Sequence, residues 1–153
     1  HQTASAIDFN EFGTYFKYGV KKAMNNYSYF KLVMNTYATE LSRRINPDGE
    51  TDVSVNVMCP GPVNTNIARH APWLLRNILK GIFTVFFRSP QKAALPTAYL
   101  ASSDEVEGIT NKYLHMFNEK EMDKKVYDEA EGQRLWEESD QLVKKLREEG
   151  RLV

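Results

Sequence analysis

Tyr27 and Lys31, four positions apart, are the residues whose types and spacing suggest chemistry. In a helix, residues at this spacing lie on one face, about 5–6 Å apart at Cβ, so both side chains would point into one cleft. A free tyrosine has a pKa of about 10 and is a weak acid–base catalyst at neutral pH. A neighbouring ammonium favours the phenolate form, so such a pair can pass a proton to or from a substrate oxygen.

The same spacing occurs a second time, because Tyr18 and Lys22 repeat it upstream. The helical pattern favours the later pair, since Tyr27 lies on the apolar side of a periodic segment while Tyr18 lies beside Gly19 in its approach. The structural alternative is that Tyr27 is a core aromatic and Lys31 a surface residue whose stem lies along apolar neighbours.

A strand and a proline–glycine loop follow this helix. Val53, Val55 and Val57 alternate in a strand that extends through Cys59, and the loop after it reads Pro60-Gly61-Pro62-Val63-Asn64-Thr65. Thr65 either contacts a ligand or caps the next helix. Cys59 reads as a small buried apolar residue rather than a reactive thiol.

These two elements together resemble the short-chain dehydrogenase/reductase family. The resemblance is carried by Tyr27-Ser28-Tyr29-Phe30-Lys31 and by the segment 55–65, in the order and separation that the family shows. Segments 98–103 and 107–114 are similar to its last helix and last core strand, and 130–139 is similar to the tail of retinol-dehydrogenase-like members. The resemblance implies an oxidoreductase that moves a hydride between NAD or NADP, with NADP favoured, and an alcohol or carbonyl.

The resemblance also implies roles for individual residues. Tyr27 would donate or accept the proton at the reacting carbonyl, and Lys31 would hold the nicotinamide ribose. Val63 and Thr65 would fix the carboxamide. The expected cofactor-binding residues are Tyr27, Lys31, Pro60, Gly61, Val63 and Thr65.

Three features depart from the family pattern, and the missing phosphate-binding turn and Phe30 among them favour a second hypothesis. No glycine-rich phosphate-binding turn is present in the sequence. The carbonyl-polarising serine is either Ser5 or lies before His1, and Phe30 is bulky where the family usually carries a small residue. The alternative to an enzyme is therefore a catalytically silent short-chain-dehydrogenase-like structural or interaction subunit.

The order of elements is typical of a parallel α/β sheet. Two strands are few for a stable sheet, so the pattern predicts the C-terminal half of a doubly wound Rossmann-type parallel sheet with flanking helices. Residues 1–153 are expected to be the catalytic half of one such domain, with the cofactor-phosphate half absent and no turnover alone. Helices are expected at 20–45, 71–87, 89–100 and 123–149, and strands at 53–59 and 109–117. Pro96 should kink the third helix or mark its start.

The composition limits the function further. The 20 basic residues balance the 20 acidic ones, which gives no sign of bulk nucleic-acid binding. The three histidines and Cys59 have no metal-ligand spacing, so no metal is expected. A lone cysteine suits a reducing compartment, and neither a signal peptide nor a membrane span is recognisable, so we expect an intracellular protein.

The segment 71–87 is the most apolar part of the chain. Three interpretations remain open: it covers a pocket for a hydrophobic substrate such as a retinoid, steroid or fatty carbonyl, it makes peripheral contact with an endoplasmic-reticulum-type membrane, or it packs against a partner in a homodimer or larger assembly. Its basic neighbours Arg69, Arg76, Lys80 and Arg88 suit the membrane interpretation.

Overall fold

The computed structural model describes residues 6–14, 20–65 and 72–152. Within these ranges the chain has an α/β fold with a small mixed sheet. The elements in chain order are α1 (Val20–Ile45), β1 (Val57–Cys59), α2 (Trp73–Phe86), α3 (Pro90–Ser102), β2 (Tyr113–His115), β3 (Asn118–Glu119) and α4 (Glu129–Glu148). They form two compact units: α1 and α4 belong to the first, and the sheet with α2 and α3 to the second, which spans Asn56–Lys120.

Helix α1 has the predicted bounds, and most of its buried residues are polar. Leu32 is buried together with Asn35, Thr36, Thr39, Glu40 and Ser42. Three residues of the apolar periodicity, Tyr27, Phe30 and Met34, are instead more than half exposed. Helix α4 packs close to the side of α1 that carries Glu40, because its residue there is Gly132.

Glu40 is the charged centre of this contact. Its carboxylate accepts from Arg43 Nη1 at 2.9 Å and from Arg44 Nε at 2.7 Å, while the Glu40 side chain is only 5 % exposed. Arg43 Nη2 also donates to the Tyr127 carbonyl at 3.0 Å. A Cβ at Gly132 would lie 3.1 Å from both Arg43 Nη1 and Glu40 Oε2, so α4 can approach this closely because that residue is glycine.

Apolar contacts complete the first unit. The Tyr37 and Trp136 rings stack at 5.1 Å, and the Arg44 guanidinium lies 4.7 Å from the centre of the Trp136 ring. Leu135 and Val126 are fully buried. Helix α4 begins later than position 123, because Lys124–Tyr127 forms a 3₁₀ turn and Asp128 caps α4 by accepting from the Glu131 N–H.

The second unit is built on the parallel pairing of β1 with β2, in the register Val57↔Tyr113, Met58↔Leu114 and Cys59↔His115. Strand β3 turns back on β2 as a short antiparallel hairpin, which the sequence did not predict. The parallel pair is compatible with part of a Rossmann-type sheet, and the doubly wound sheet itself stays a prediction.

Both predicted strands are too long, and side-chain hydrogen bonds explain why. Asn46 Oδ1 accepts from the backbone of Asp52 and Val53, which holds that segment in a loop. In the second strand, Asn56 Nδ2 donates to the Ile109 carbonyl and Asn56 Oδ1 accepts from the Lys112 N–H, both at 3.0 Å. These bonds lie on the N-terminal side of both three-residue strands, so each strand begins later than predicted.

Helix α3 starts where the sequence predicts. The Ser89 side chain accepts from the Lys92 N–H and Pro90 occupies the first turn, as expected for this pair of residues. The helix continues through Pro96, which is buried. The prediction that Pro96 marks the start of the helix was therefore wrong.

Replacing Glu40 with glutamine should destabilise the protein, because a buried amide cannot accept charge-assisted hydrogen bonds from two guanidinium groups as strongly as the carboxylate does. We expect the free energy of unfolding to fall by about 1.5–3 kcal/mol, the range for hydrogen bonds to charged groups. Urea denaturation measures it. The matched control is Asp140→Asn, which removes an exposed pair with Lys144 and should cost less than about 0.5 kcal/mol. Equal losses in the two variants would contradict the role given to burial of Glu40.

Candidate active site

Tyr27 and Lys31 lie on one face of α1, as their spacing predicts. The Lys31 Nζ atom is 5.9 Å from the centre of the Tyr27 ring, within the range in which an ammonium is attracted to an aromatic face. The Tyr27 side chain is 56 % exposed. Tyr27 is therefore not a core aromatic of this unit, and the structure leaves its phenol accessible beside a cation.

Tyr29 occupies a different environment on the same helix. Its hydroxyl donates to the Asp8 carbonyl at 3.5 Å. Burial raises the pKa of Tyr29 above its ordinary value, and the nearby charges of Asp8 and Glu11 add to this. Because the Tyr29 hydroxyl already has a backbone partner while Tyr27 is exposed beside Lys31, Tyr27 is the better acid–base candidate of the two.

Phe30, the bulky residue before Lys31, is also exposed. Its ring meets the Tyr29 ring edge to face, with centres 5.7 Å apart. The bulk of Phe30 therefore faces outward in the part of the first unit that the structure describes.

The loop after β1 is shaped by Gly61. Its φ is +73°, a left-handed conformation that favours glycine. An added Cβ would also lie 3.2 Å from Met116 Sδ and 3.8 Å from His115 Nε2. Pro60 and Gly61 therefore turn the chain at the carboxyl end of β1, which is the edge where parallel α/β sheets bind ligands.

The next residues are held in place by Arg88. The Arg88 N–H donates to the Pro62 carbonyl at 3.1 Å, and the Arg88 carbonyl accepts from the Asn64 N–H at 2.9 Å. This is a parallel bridge between Val63 and Arg88. In such a bridge the N–H and C=O of Val63 itself point away from Arg88, so one amide donor and one amide acceptor are presented on the opposite side.

Thr65 is exposed at the end of this loop. It does not cap α2, whose N-cap residue is Pro72. Cys59 is half-buried and pairs in register with His115. Sequence reasoning missed His115 and Met116 as neighbours of the loop, because nothing in the local sequence reports which strand lies beside β1.

The predicted site residues fall in both units. Tyr27 and Lys31 are brought together in the first unit, and Pro60, Gly61, Val63 and Thr65 follow one another in the second. The alternative residues Ser5 and Tyr18 lie outside the described residues. The roles of all these residues remain predictions.

Within the described ranges, the chain has neither a metal-ligating cluster nor a membrane-spanning helix. No group of three or more histidine, cysteine or acidic side chains in the described part of the chain is placed to hold a metal ion. No helix within residues 20–65 and 72–152 is long and apolar enough to cross a membrane.

Comparison with known proteins gives clear relatives. The chain is 39 % identical to retinol dehydrogenase 14 of Homo sapiens over 119 residues, which is 76 % of this chain and 34 % of that protein. It is 35 % identical to retinol dehydrogenase 13 of Mus musculus over 147 residues, covering 92 % of this chain and 42 % of the relative. Polyprenol dehydrogenase of Mus musculus is 33 % identical over 73 % of this chain and 33 % of its own length.

No family model and no solved structure matches the chain. The chain spans well under half the length of the curated relatives it matches, at 34 % and 42 % of the two retinol dehydrogenases. The matches nevertheless extend over most of its own residues and agree in kind. The chain belongs to the short-chain dehydrogenase/reductase family, on its retinol-dehydrogenase-like branch.

Proposed function

We propose that this chain supplies the acid–base pair and the nicotinamide-binding loop of an NAD(P)-dependent oxidoreductase acting on hydrophobic alcohols or carbonyls. The observation that carries the proposal is the exposed Tyr27 phenol, with the Lys31 ammonium 5.9 Å from its ring. A nicotinamide held by Lys31 and the loop after β1 would supply the hydride acceptor or donor for the alcohol or carbonyl carbon.

Tyr27 handles the proton in this mechanism. In the oxidation direction its phenolate accepts the proton of the substrate hydroxyl while the hydride leaves the same carbon, and the carbonyl product results. In the reduction direction the phenol donates that proton to the carbonyl oxygen. Lys31, with three N–H donors, would hold ribose hydroxyls beside Tyr27.

The loop after β1 suits a carboxamide. A carboxamide carries one acceptor and one donating NH₂ group, and the outward N–H and C=O of Val63 complement both. The exposed Thr65 hydroxyl adds a further partner two residues on. NADP is favoured over NAD only by the resemblance to the family.

A hydrophobic substrate is supported by a cavity in the second unit. It measures about 520 Å³ and is lined by Phe86, Phe87, Arg88, Ser89, Lys92, Leu95 and Phe117. Its aromatic and aliphatic walls suit an apolar chain or ring. The Arg88 backbone joins it to the loop that carries Val63, so an apolar tail here would lie next to the proposed nicotinamide site. The named relatives act on retinol and polyprenol, which are alcohols of this class.

Tyr27→Phe in the native protein should lower kcat by about 10²–10⁴-fold, the usual contribution of a positioned acid–base group. Cofactor affinity, measured by fluorescence titration with NADPH and NADH, should stay nearly unchanged. Tyr29→Phe is the matched control, since it removes a hydroxyl from the same helix that already bonds to the Asp8 carbonyl, and it should retain turnover. Full activity in the Tyr27 variant would contradict the proposed role of Tyr27. No activity in the unmodified protein would favour the hypothesis of a catalytically silent subunit.

Gly61→Ala should weaken cofactor binding for two reasons. The new methyl group would press on Met116, and alanine disfavours the left-handed backbone conformation at this position. Gly49→Ala is its matched control, since φ there is +79° but nothing lies within 4 Å of the added Cβ. Both variants should lose about 1 kcal/mol of stability from backbone strain, but only Gly61→Ala should raise the dissociation constant of NADPH. Unchanged NADPH affinity in Gly61→Ala would contradict the proposed role of the loop.

Leu95→Ser should raise KM for long-chain alcohols by about tenfold, since it removes an apolar wall that a tail would bury. Short-chain alcohols, which do not reach the cavity, should keep their KM. Ala94→Ser, an exposed position on the same helix, controls for the added hydroxyl. An equal change in KM for long-chain and short-chain alcohols would show that the cavity does not bind the substrate tail.

A further inference from the structure

Met116 adopts a backbone conformation that methionine disfavours. Its φ is +61°, in the left-handed region, where the Cβ lies too close to the following carbonyl oxygen. Met116 follows the last residue of β2, and β3 begins at Asn118, so Met116 is the first residue of a two-residue hairpin turn. Where such turns need a positive φ, they favour glycine, asparagine or aspartate. The turn alone therefore does not account for a methionine at this position.

Backbone contacts hold Met116 in this conformation. Its N–H donates to the Cys59 carbonyl at 2.8 Å, and the preceding residue, His115, pairs with Cys59 in β1 and with Asn118 in β3. Met116 itself is half-buried. A strained residue persists where its surroundings determine it in this way, and such residues cluster at active sites and ligand clamps. This strain indicates that the Met116 side chain has a role of its own.

The Met116 side chain packs against the loop after β1. A Cβ built at Gly61 would lie 3.2 Å from Met116 Sδ and 3.4 Å from Met116 Cγ, closer than to His115 Nε2 at 3.8 Å. The thioether therefore fills the space beside the Gly61 Cα atom. An unbranched, flexible side chain such as that of methionine is well suited to an irregular gap of this kind.

Gly61 is a point at which the loop needs restraint. Glycine has the widest backbone freedom of all residues, and its neighbours Pro60 and Pro62 have no N–H to donate. The bridge to Arg88 lies further along the loop. The Met116 side chain therefore restrains the loop at the residue where the chain turns.

We propose that Met116 is a positioning residue for the nicotinamide. Its thioether holds Gly61 and thereby keeps the outward N–H and C=O of Val63 in the orientation that suits a carboxamide. The nicotinamide as ligand rests on the proposed function, whereas the restraint of the loop is measured without any cofactor. This contact accounts for the strained methionine, because glycine would suit the turn but leave the loop without its support.

The test compares Met116→Gly with Met116→Leu in the native protein. Glycine suits the positive φ but removes the contact with Gly61, so the loop spends less time in the binding orientation. We expect the dissociation constant of NADPH, measured by fluorescence titration, to rise about tenfold, as it does when the binding-competent fraction falls to roughly a tenth. Leucine keeps an apolar side chain of similar size against Gly61 and should retain the affinity within about twofold. If Met116 only formed the turn, glycine would be the better residue and neither variant would lose affinity.

Hydrogen exchange measures the loop itself. The N–H groups of Arg88 and Asn64 bond across the bridge beside Val63, and both should exchange about tenfold faster in Met116→Gly, because the loop opens more often. The control is Asn111→Gly, which places glycine at another positive φ, +57°, in the same unit and should leave both rates unchanged. Urea denaturation confirms that each variant is folded.

The proposal is overturned if these two N–H groups exchange as slowly in Met116→Gly as in the native protein. It is also overturned if Met116→Gly binds NADPH as tightly as the native protein does, or if Met116→Leu loses as much affinity as Met116→Gly. A native protein that binds neither NADPH nor NADH but shows the expected exchange rates would contradict the proposed function, while Met116 would still be the residue that holds the loop.

Discussion

Burial of the Glu40 carboxylate decides how the first unit packs. Desolvating a carboxylate is costly unless it is paired and hydrogen-bonded, and here two guanidinium groups supply the partners at 2.7 and 2.9 Å. The contact also requires Gly132, because any larger residue would press on both charged groups. With the polar side of α1 packed in this way, Tyr27, Phe30 and Met34 remain exposed. The exposure of Tyr27 thus accompanies packing elsewhere on the same helix.

The second unit has a corresponding constraint at Gly61 and Arg88. Gly61 turns the chain beside the end of β2, and the Arg88 backbone then pairs with both neighbours of Val63. The Val63–Arg88 bridge therefore ties together the two ends of the segment 65–87. The bridge, rather than the segment between its ends, fixes the direction of the Val63 N–H and C=O groups.

Local chemistry made some features predictable and distant contacts made others unpredictable. The cap at Ser89 and the turn after Ile45 depend on neighbouring residues, so their positions could be predicted from the sequence. The buried side of α1 could not, because hydrophobic periodicity favours the aromatic row and the deciding partner, Gly132, lies far along the chain. Strand lengths failed for a similar reason, since the Asn56 side chain replaces the pairing that alternation predicts. The Tyr27 and Lys31 pair was predictable because residues four apart on a helix are neighbours on one face.

The cavity and the loop that we assign to the nicotinamide meet at the C-terminal end of α2. Phe86 and Phe87 line the cavity, and Phe87 follows directly on α2. Arg88, the next residue, pairs through its backbone with both neighbours of Val63. Because one short bridge joins the cavity wall to the loop, we expect the orientation of the reacting groups to depend on this bridge and on the left-handed turn at Gly61.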